Sequence, residues 1–500
     1  MLKGLSLLCR RPTFTCKPAP TLLRSCRGPS ALSRLTGNRA PCRTYASISA
    51  AQLQFGQPVH ETHPHILKAG ELTPGITALE YAHRRSKLAS KLPKNGIAIV
   101  AASETKYRSS SVFYEYHQNP DFFYLTGFNE PGAVAVIAND GSGSHDFHLY
   151  VREKDPKAEL WEGARSGTRA ALDVFNADET GDIDNLNDFV PSLISNASEV
   201  YMDMDGVDST GSVVARLLDS GGEHKPIKER VDTRKVRPLR QIMNELRVFK
   251  SDDEILTMRK VGQASGRAFT KTMTRGFSLE KNLNAFLEYQ FKAHGCDSTA
   301  FVPVVAGGRN ALSIHYVRND DALRDGQLAL VDGGGEYGGY IADITRTWPI
   351  NGKFSEPQKD LYNAVLNVQR SCISMCRESA SVSLDRLHEI AENGLKEQLK
   401  QLGFDVSGGN MRILFPHHVG HYIGLDVHDS AGYSRRVELQ KAQCITIEPG
   451  IYVPDDERWP EAYRGIGIRI EDSVCIGDDN PLVLTIEAVK EVVDIEALRE

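Results

Sequence analysis

The first 60 residues contain no aspartate or glutamate, although the 500-residue chain has 65 acidic residues. That stretch carries Lys3, Arg10, Arg11, Lys17, Arg24, Arg27, Arg34, Arg39 and Arg43, with serines and small residues between them. An acid-free, Arg- and Ser-rich start is the composition of a mitochondrial transit peptide. A secretory signal would need an apolar core of ~7–15 residues, and the best run, Leu5 to Cys9, is interrupted by Ser6. Aromatic residues are also scarce there, which speaks against a basic arm that stacks on nucleic-acid bases. No apolar run approaches the ~20 residues that cross a bilayer, so no transmembrane span is expected. There is no CxxC pair. Cys9, Cys16, Cys26 and Cys42 fall in the basic segment, and Cys296, Cys372, Cys376, Cys444 and Cys475 read as reduced thiols rather than a disulfide framework.

The sequence Arg43-Thr44-Tyr45-Ala46 has an arginine two residues before a matrix-type cut, so cleavage is expected after Thr44. Removing residues 1–44 takes nine of the 59 basic residues and none of the 65 acidic ones, leaving 50 against 65. The remaining chain is acidic, which argues against nucleic acid as a partner. The expected location is mitochondrial, in the matrix or associated with the inner membrane.

Hydrophobic content of 41% and charged content of 25% are globular values, and the length suggests two domains. The expected order is a transit peptide at 1–44, a linker at 45–69, an α/β domain at 70–232, a linker at 233–248 and an α+β catalytic domain at 249–500. In the first domain, residues 80–92 have helical apolar spacing, while 96–100, 133–137 and 146–151 read as strands. Residues 163–188 are polar and rich in Gly and Asp, and weak order is expected there. No phosphate-binding glycine pattern or nucleophile–base signature occurs in this domain, so it reads as a scaffold and substrate gate. In the second, Ser251-Asp-Asp-Glu254 and Ser355-Glu-Pro-Gln358 are capping boxes that open helices. Extended segments dominate from Cys444 onward. Helices segregated from antiparallel strands give the α+β class.

The chemistry gathers around residues 328–350. Leu328 to Val331 is an apolar run ending in Asp332; a Gly-rich turn follows, then a second extended run carrying Asp343. This reads as a β-hairpin with one carboxylate from each arm facing a common spot. Two unpaired, half-buried carboxylates would cost several kcal/mol (order of magnitude), so a cation is expected between them. Downstream, residues 416–429 are dense in histidine, Glu448 stands at a strand end, and Arg469 and Glu471 share the odd positions of an alternating strand. His417 and His421 do not form a zincin helix, because position 418 is His and Pro416, Gly420 and Gly424 disfavour one. Together two Asp, two Glu and a His form a hard-oxygen set suited to a pair of divalent ions. Four carboxylates neutralise two such ions and leave a bridging water free to be acidified.

These segments resemble the pita-bread metallopeptidases, in the aminopeptidase P and prolidase branch. The match is carried by VDGGGEYGGYIADITRT, HHVGHYIGLDVHD, TIEPGIY and RGIGIRIED, in that order, and by DFFYLTGFNEP and HPHILKAGELTPGI in the N-terminal half. The resemblance implies a pita-bread catalytic domain preceded by an aminopeptidase P N-terminal domain. It implies Asp332, Asp343, His421, Glu448 and Glu471 as ligands of two metal ions, with Asp343 and Glu471 bridging and manganese as the usual metal. It further implies Glu448 as proton shuttle, His315, His417 and His428 lining the substrate site, and Arg469 supporting the ligand carboxylates. The expected activity is removal of one N-terminal residue. It would act on presequence-processed proteins, on Xaa-Pro N-termini or on both; a prolidase and a non-catalytic binding module are the alternatives. Peptide or protein N-termini are the expected partners, and a homodimer or tetramer is implied by the relatives.

Overall fold

The computed structural model describes residues 54–203 and 233–499. The expected leader and its cut after Thr44 lie outside the described residues. The N-terminal half is built on a six-stranded sheet in the order Val236–Arg237, Val200–Tyr201, Ile97–Ala101, Val134–Asn139, His145–Val151, Glu179–Asp182. Its central strands pair antiparallel, with Ile99 opposite Val136, and are buried along most of their length. Successive residues serve opposite faces. Ala98, Val100, Ala135 and Ile137 pack with Tyr81 and Leu88 of helix Ala78–Lys91, and Ile97, Ile99, Val134 and Val136 pack with Val190 and Ile194 of helix Leu186–Asn196. A strand covered on both sides reads as a continuous apolar run, which is why these were visible in sequence.

Two expectations are corrected here. Residues 163–188 are ordered: they form helix Gly167–Asp173 and edge strand Glu179–Asp182. The edge strand takes its order from parallel pairing with His148–Val151, and Asp178 accepts the Phe147 N–H at 2.9 Å. Polar composition marks an exposed edge as readily as a loop. The stretch 233–248 contributes strand Val236–Arg237 to the sheet and forms helix Arg240–Arg247, whose Met243 and Leu246 are buried. Within the expected linker 45–69, Val59 and Leu67 are also buried.

The C-terminal half places helices Asp252–Met273, Glu280–Ala293, Glu356–Ser374 and Leu384–Gln401 around short antiparallel strands. Both capping boxes are formed as their spacing indicates. Cys296, Cys372, Cys376, Cys444 and Cys475 are free and buried. Among the described residues no helix is long and apolar enough to cross a membrane.

The first capping box also ties the halves together. Glu254 Oε2 accepts the Ser251 N–H, while Oε1 accepts the Tyr340 hydroxyl at 2.8 Å and faces Arg84 at 3.5 Å. Arg84, from the N-terminal half, is fully buried, donates to Tyr340 at 3.1 Å and lies over the Tyr124 ring. A guanidinium this deep requires its carboxylate and aromatic partners.

Candidate metal centre

The Asp332–Asp343 segment is two hairpins, one standing on the other, where the sequence suggested one. Strand Leu328–Gly333 pairs antiparallel with Ile344–Pro349, Asp332 lying opposite Thr345. Between them Gly335–Tyr337 and Tyr340–Ile341 form a second ladder in a different sheet. Its turn is Gly338-Gly339, with φ of 59° and 85°, a region that favours glycine. Where the hairpins meet, a Cβ on Gly334 would lie 1.7 Å from the Ala342 carbonyl oxygen. The chain can cross itself there only without a side chain, and the crossing delivers a buried Asp343 beside Asp332.

The two glutamates stand at a shared break in another pair of strands. Cys444–Ile447 pairs with Asp472–Cys475, Ile447 opposite Asp472; Gly450–Tyr452 then pairs with Gly467–Arg469, Gly450 opposite Arg469. Glu448-Pro449 and Ile470-Glu471 lie between these ladders. Pro449 has no N–H to continue the pairing, which accounts for the break. The alternating strand expected through residue 471 is therefore interrupted at Glu471. His421 sits on a loop that pairs with the outer edge of Cys444–Ile447: Thr446 N donates to the His421 carbonyl at 2.8 Å and Ile423 N to the Cys444 carbonyl at 3.1 Å.

These elements bring Asp343, His421 and Glu471 together, with a ligand atom of each within 4.8 Å of the others. His421 Nε2 is 3.6 Å from Asp343 Oδ2 and 3.7 Å from Glu448 Oε1, while its Nδ1–H is aimed at the Tyr422 carbonyl at 3.0 Å. That backbone bond leaves Nε2 free to ligate a metal. Burial first, then the charges of Asp332 and Glu448, push the Asp343 carboxyl well above the usual range. Burial and Asp343 do the same to Glu471, and burial raises Glu448. Asp332 Oδ1 and Asp343 Oδ1 are buried with no hydrogen-bond partner. Repelling carboxylates with orphaned oxygens beside a free imidazole nitrogen fit hard divalent cations.

Arg469 supports the cluster from behind. Its NH2 donates to Asp332 Oδ2 at 2.7 Å, its Nε to Thr345 Oγ1 at 3.0 Å and its NH1 to the Tyr452 hydroxyl at 2.8 Å. Thr345 in turn donates to Glu471 Oε2 at 2.6 Å. Tyr452 passes the chain on to His417 Nε2 at 2.8 Å, and His417 Nδ1–H reaches the His418 carbonyl at 2.8 Å. Burial, then Arg469, lowers His417 to about 3, so it stays neutral with both ring nitrogens engaged. His417 lies beside Glu448, with Nδ1 and Oε2 3.7 Å apart. His428 stands edge-on to His421, ring centres 4.5 Å apart. Burial, then His421 and His315, lowers its pKa; His315 is exposed and near enough for its charge to count. Sequence reasoning missed Tyr452 and the bridging role of Thr345. Tyr452 was open to discovery, since it falls an even number of residues after Glu448 and so on the same side of an extended chain.

Residues 257–478 match metallopeptidase family M24, and residues 81–201 match the aminopeptidase P N-terminal domain. The chain is 44% identical over 460 residues to intermediate cleaving peptidase 55 of Saccharomyces cerevisiae, covering 91% of this chain and 90% of the relative. It is 37% identical to Xaa-Pro aminopeptidase 3 of Homo sapiens, covering 89% and 90%. It is 38% identical to the mitochondrial intermediate cleaving peptidase 55 of Arabidopsis thaliana, covering 89% and 87%. The crystal structure of Icp55 from Saccharomyces cerevisiae with its N-terminal 58 residues deleted aligns with a TM-score of 0.80 at 43% identity, covering 86% of this chain and 99% of that one. Such likeness along nearly the whole described length leaves one reading of the α/β half and the carboxylate-lined half: the chain belongs to metallopeptidase family M24, as an aminopeptidase with an aminopeptidase P N-terminal domain before a pita-bread catalytic domain.

Proposed function

We propose that this aminopeptidase works in mitochondria, removing a single residue from proteins whose presequence has just been cut. The observation that carries the reading is the grouping of Asp343, His421 and Glu471, with Glu448 3.7 Å from His421, Asp332 beside Asp343, and two buried carboxylate oxygens without a hydrogen-bond partner. It is supported by the acid-free, Arg-rich start and by relatives that carry the intermediate-cleaving name. In this reading residues 1–44 are the transit peptide, the N-terminal domain runs on through strand Val236–Arg237, and 249–500 is the catalytic domain. The five residues would hold two divalent ions, manganese suiting their oxygen and imidazole donors, and the chain works as a homo-oligomer.

Ions held there would supply an acidified water and polarise the first peptide carbonyl. The chain's own groups do the rest. Glu448, its carboxyl raised by burial, takes a proton at Oε and returns it to the departing amine. His428 and His315, at the open side of the cluster, donate to the carbonyl oxygen as it gains charge. Arg469 neutralises Asp332, and His417 lines the substrate site beside Glu448, neutral and so not competing for its proton.

The test uses protein lacking residues 1–44, loaded with Mn²⁺, and peptides beginning Tyr-Ala-Ser and Tyr-Pro-Ser. Mass spectrometry reads single-residue release. Faster release from Tyr-Ala-Ser is expected, in line with the trimming of Tyr45 that the Arg43-Thr44-Tyr45-Ala46 junction suggests. Faster release from Tyr-Pro-Ser would replace this reading with that of an Xaa-Pro aminopeptidase, the activity named in the human relative. Silence on both with metal bound would leave a binding module.

A further inference from the structure

One buried charge cluster takes no part in the chemistry above. Arg247 ends helix Arg240–Arg247 and is buried where three segments meet. Its NH1 donates to Asp121 Oδ1 at 2.7 Å, and its NH2 to Asp426 Oδ2 at 2.8 Å and Asp429 Oδ1 at 2.5 Å. Lys250 Nζ donates to Asp429 Oδ2 at 2.8 Å and to the Arg247 carbonyl at 2.6 Å. Asp121 lies in the first turn of helix Pro120–Thr126 in the N-terminal domain. Asp426 and Asp429 belong to the loop that carries His421 and His428. That loop is closed at its base, where Asp429 N donates to the Tyr422 carbonyl at 2.9 Å.

The Asp429 and Lys250 side chains are each 1% exposed. A carboxylate so deep cannot leave its cations without a large loss of solvation, so the backbone next to His428 is pinned to Arg247. Helix Pro120–Thr126 and the histidine loop both press on the metal-ligand hairpin: a Cβ on Gly339 would fall 2.6 Å from Phe123 and 3.3 Å from Leu425. Ile341 N donates to the Gly424 carbonyl at 3.0 Å, joining that hairpin to the histidine loop. The loop therefore has a firm floor on one side and Arg247 on the other.

We propose that Arg247 is a positioning residue: by bridging Asp121 of the N-terminal domain to Asp426 and Asp429, it sets where His428 stands against His421. The N-terminal domain thereby acts on the reaction itself. This rests on the proposed role of His428 in steadying the reacting peptide. Arg247→Lys keeps the charge but loses the fork that holds three carboxylates; Asp121→Asn removes only the N-terminal domain's share.

Both variants are compared with the wild-type full-length chain by peptide kinetics and by amide hydrogen exchange of the metal-free protein. The expected result is a kcat about tenfold lower in Arg247→Lys with KM within about twofold, a loss of ~1.4 kcal/mol of transition-state stabilisation. A smaller loss is expected in Asp121→Asn, with partial recovery in Asp121→Glu. Exchange over residues 421–430 should quicken while that over Leu328–Gly333, which is paired on both edges away from the loop, stays put. Unchanged exchange in the loop, or an equal rise in both segments, overturns the proposal, as does an unchanged kcat. A wild type inactive on peptides would sink the function proposed above, and the exchange comparison would still decide this one.

Discussion

Replacing Asp472 with Asn tests how the fold holds Glu471, its neighbour. All four acceptor positions of Asp472 are used. Oδ1 accepts from Arg346 NH2 at 2.7 Å and Thr485 Oγ1 at 2.8 Å, and Oδ2 from Lys490 Nζ at 2.6 Å and Gln369 Nε2 at 2.7 Å. Asp472 and Arg346 side chains are both 0% exposed. Burial pushes the carboxyl up, but Arg346 and Lys490 more than offset it and hold it at about 2. Asparagine turns one oxygen into an NH₂ that faces two donors and removes the counter-charge of a buried guanidinium. Removing one partner of a buried pair costs about 3–5 kcal/mol. Arg346 NH1 also donates to the Glu471 carbonyl, so the candidate ligand loosens with its anchor.

Asp472→Asn is therefore expected to unfold several degrees lower and to bind divalent metal more weakly. The pH dependence has a definite sign. Because the folded carboxyl lies below its unfolded value, its contribution of about 2 kcal/mol is present above pH ~4 and fades as pH falls toward about 2. The variant lacks that limb, so its deficit against wild type should shrink below pH ~4. Thermal unfolding across pH, followed by metal titration, reads both effects. A midpoint within about 1 °C of wild type at neutral pH would refute the reasoning.

Glu448→Ala should stay folded by circular dichroism yet lose turnover; retention of more than about a tenth of the rate, ~1.4 kcal/mol in barrier, would remove Glu448 from proton transfer. If Asp343 is shared by two ions, Asp343→Asn should cost metal at both positions, and elemental analysis that still finds two ions per chain would refute that assignment. Tyr452→Phe removes the acceptor of Arg469 NH1 and the donor to His417 Nε2. Leaving these buried groups unpaired should cost about 1–3 kcal/mol in urea unfolding, and unchanged stability would show that the chain from Arg469 to His417 carries no weight.

Much of this protein was determined by sequence at short range. Both capping boxes form because a Ser and a Glu or Gln three residues on bond each other's backbone wherever the chain goes next. The central strands of the N-terminal sheet declared themselves as apolar runs, and the glycines at 338 and 339 marked a reversal. The candidate ligands were visible as five polar residues set in apolar, glycine-flanked surroundings. What local pattern does not encode is which distant segment stands behind each of them. The break at Glu471 depends on Pro449 in the facing strand, and the order of Glu179–Asp182 depends on pairing with His148–Val151. Tyr452 and Thr345 gain their meaning only from Arg469, which reaches both. Arg247 falls in the stretch expected to be a linker and Arg84 within the helical spacing of 80–92, and nothing local marks either as buried. Only the packing of one domain on the other buries them, because a buried cation needs carboxylates that here lie as far as 182 residues away in the chain.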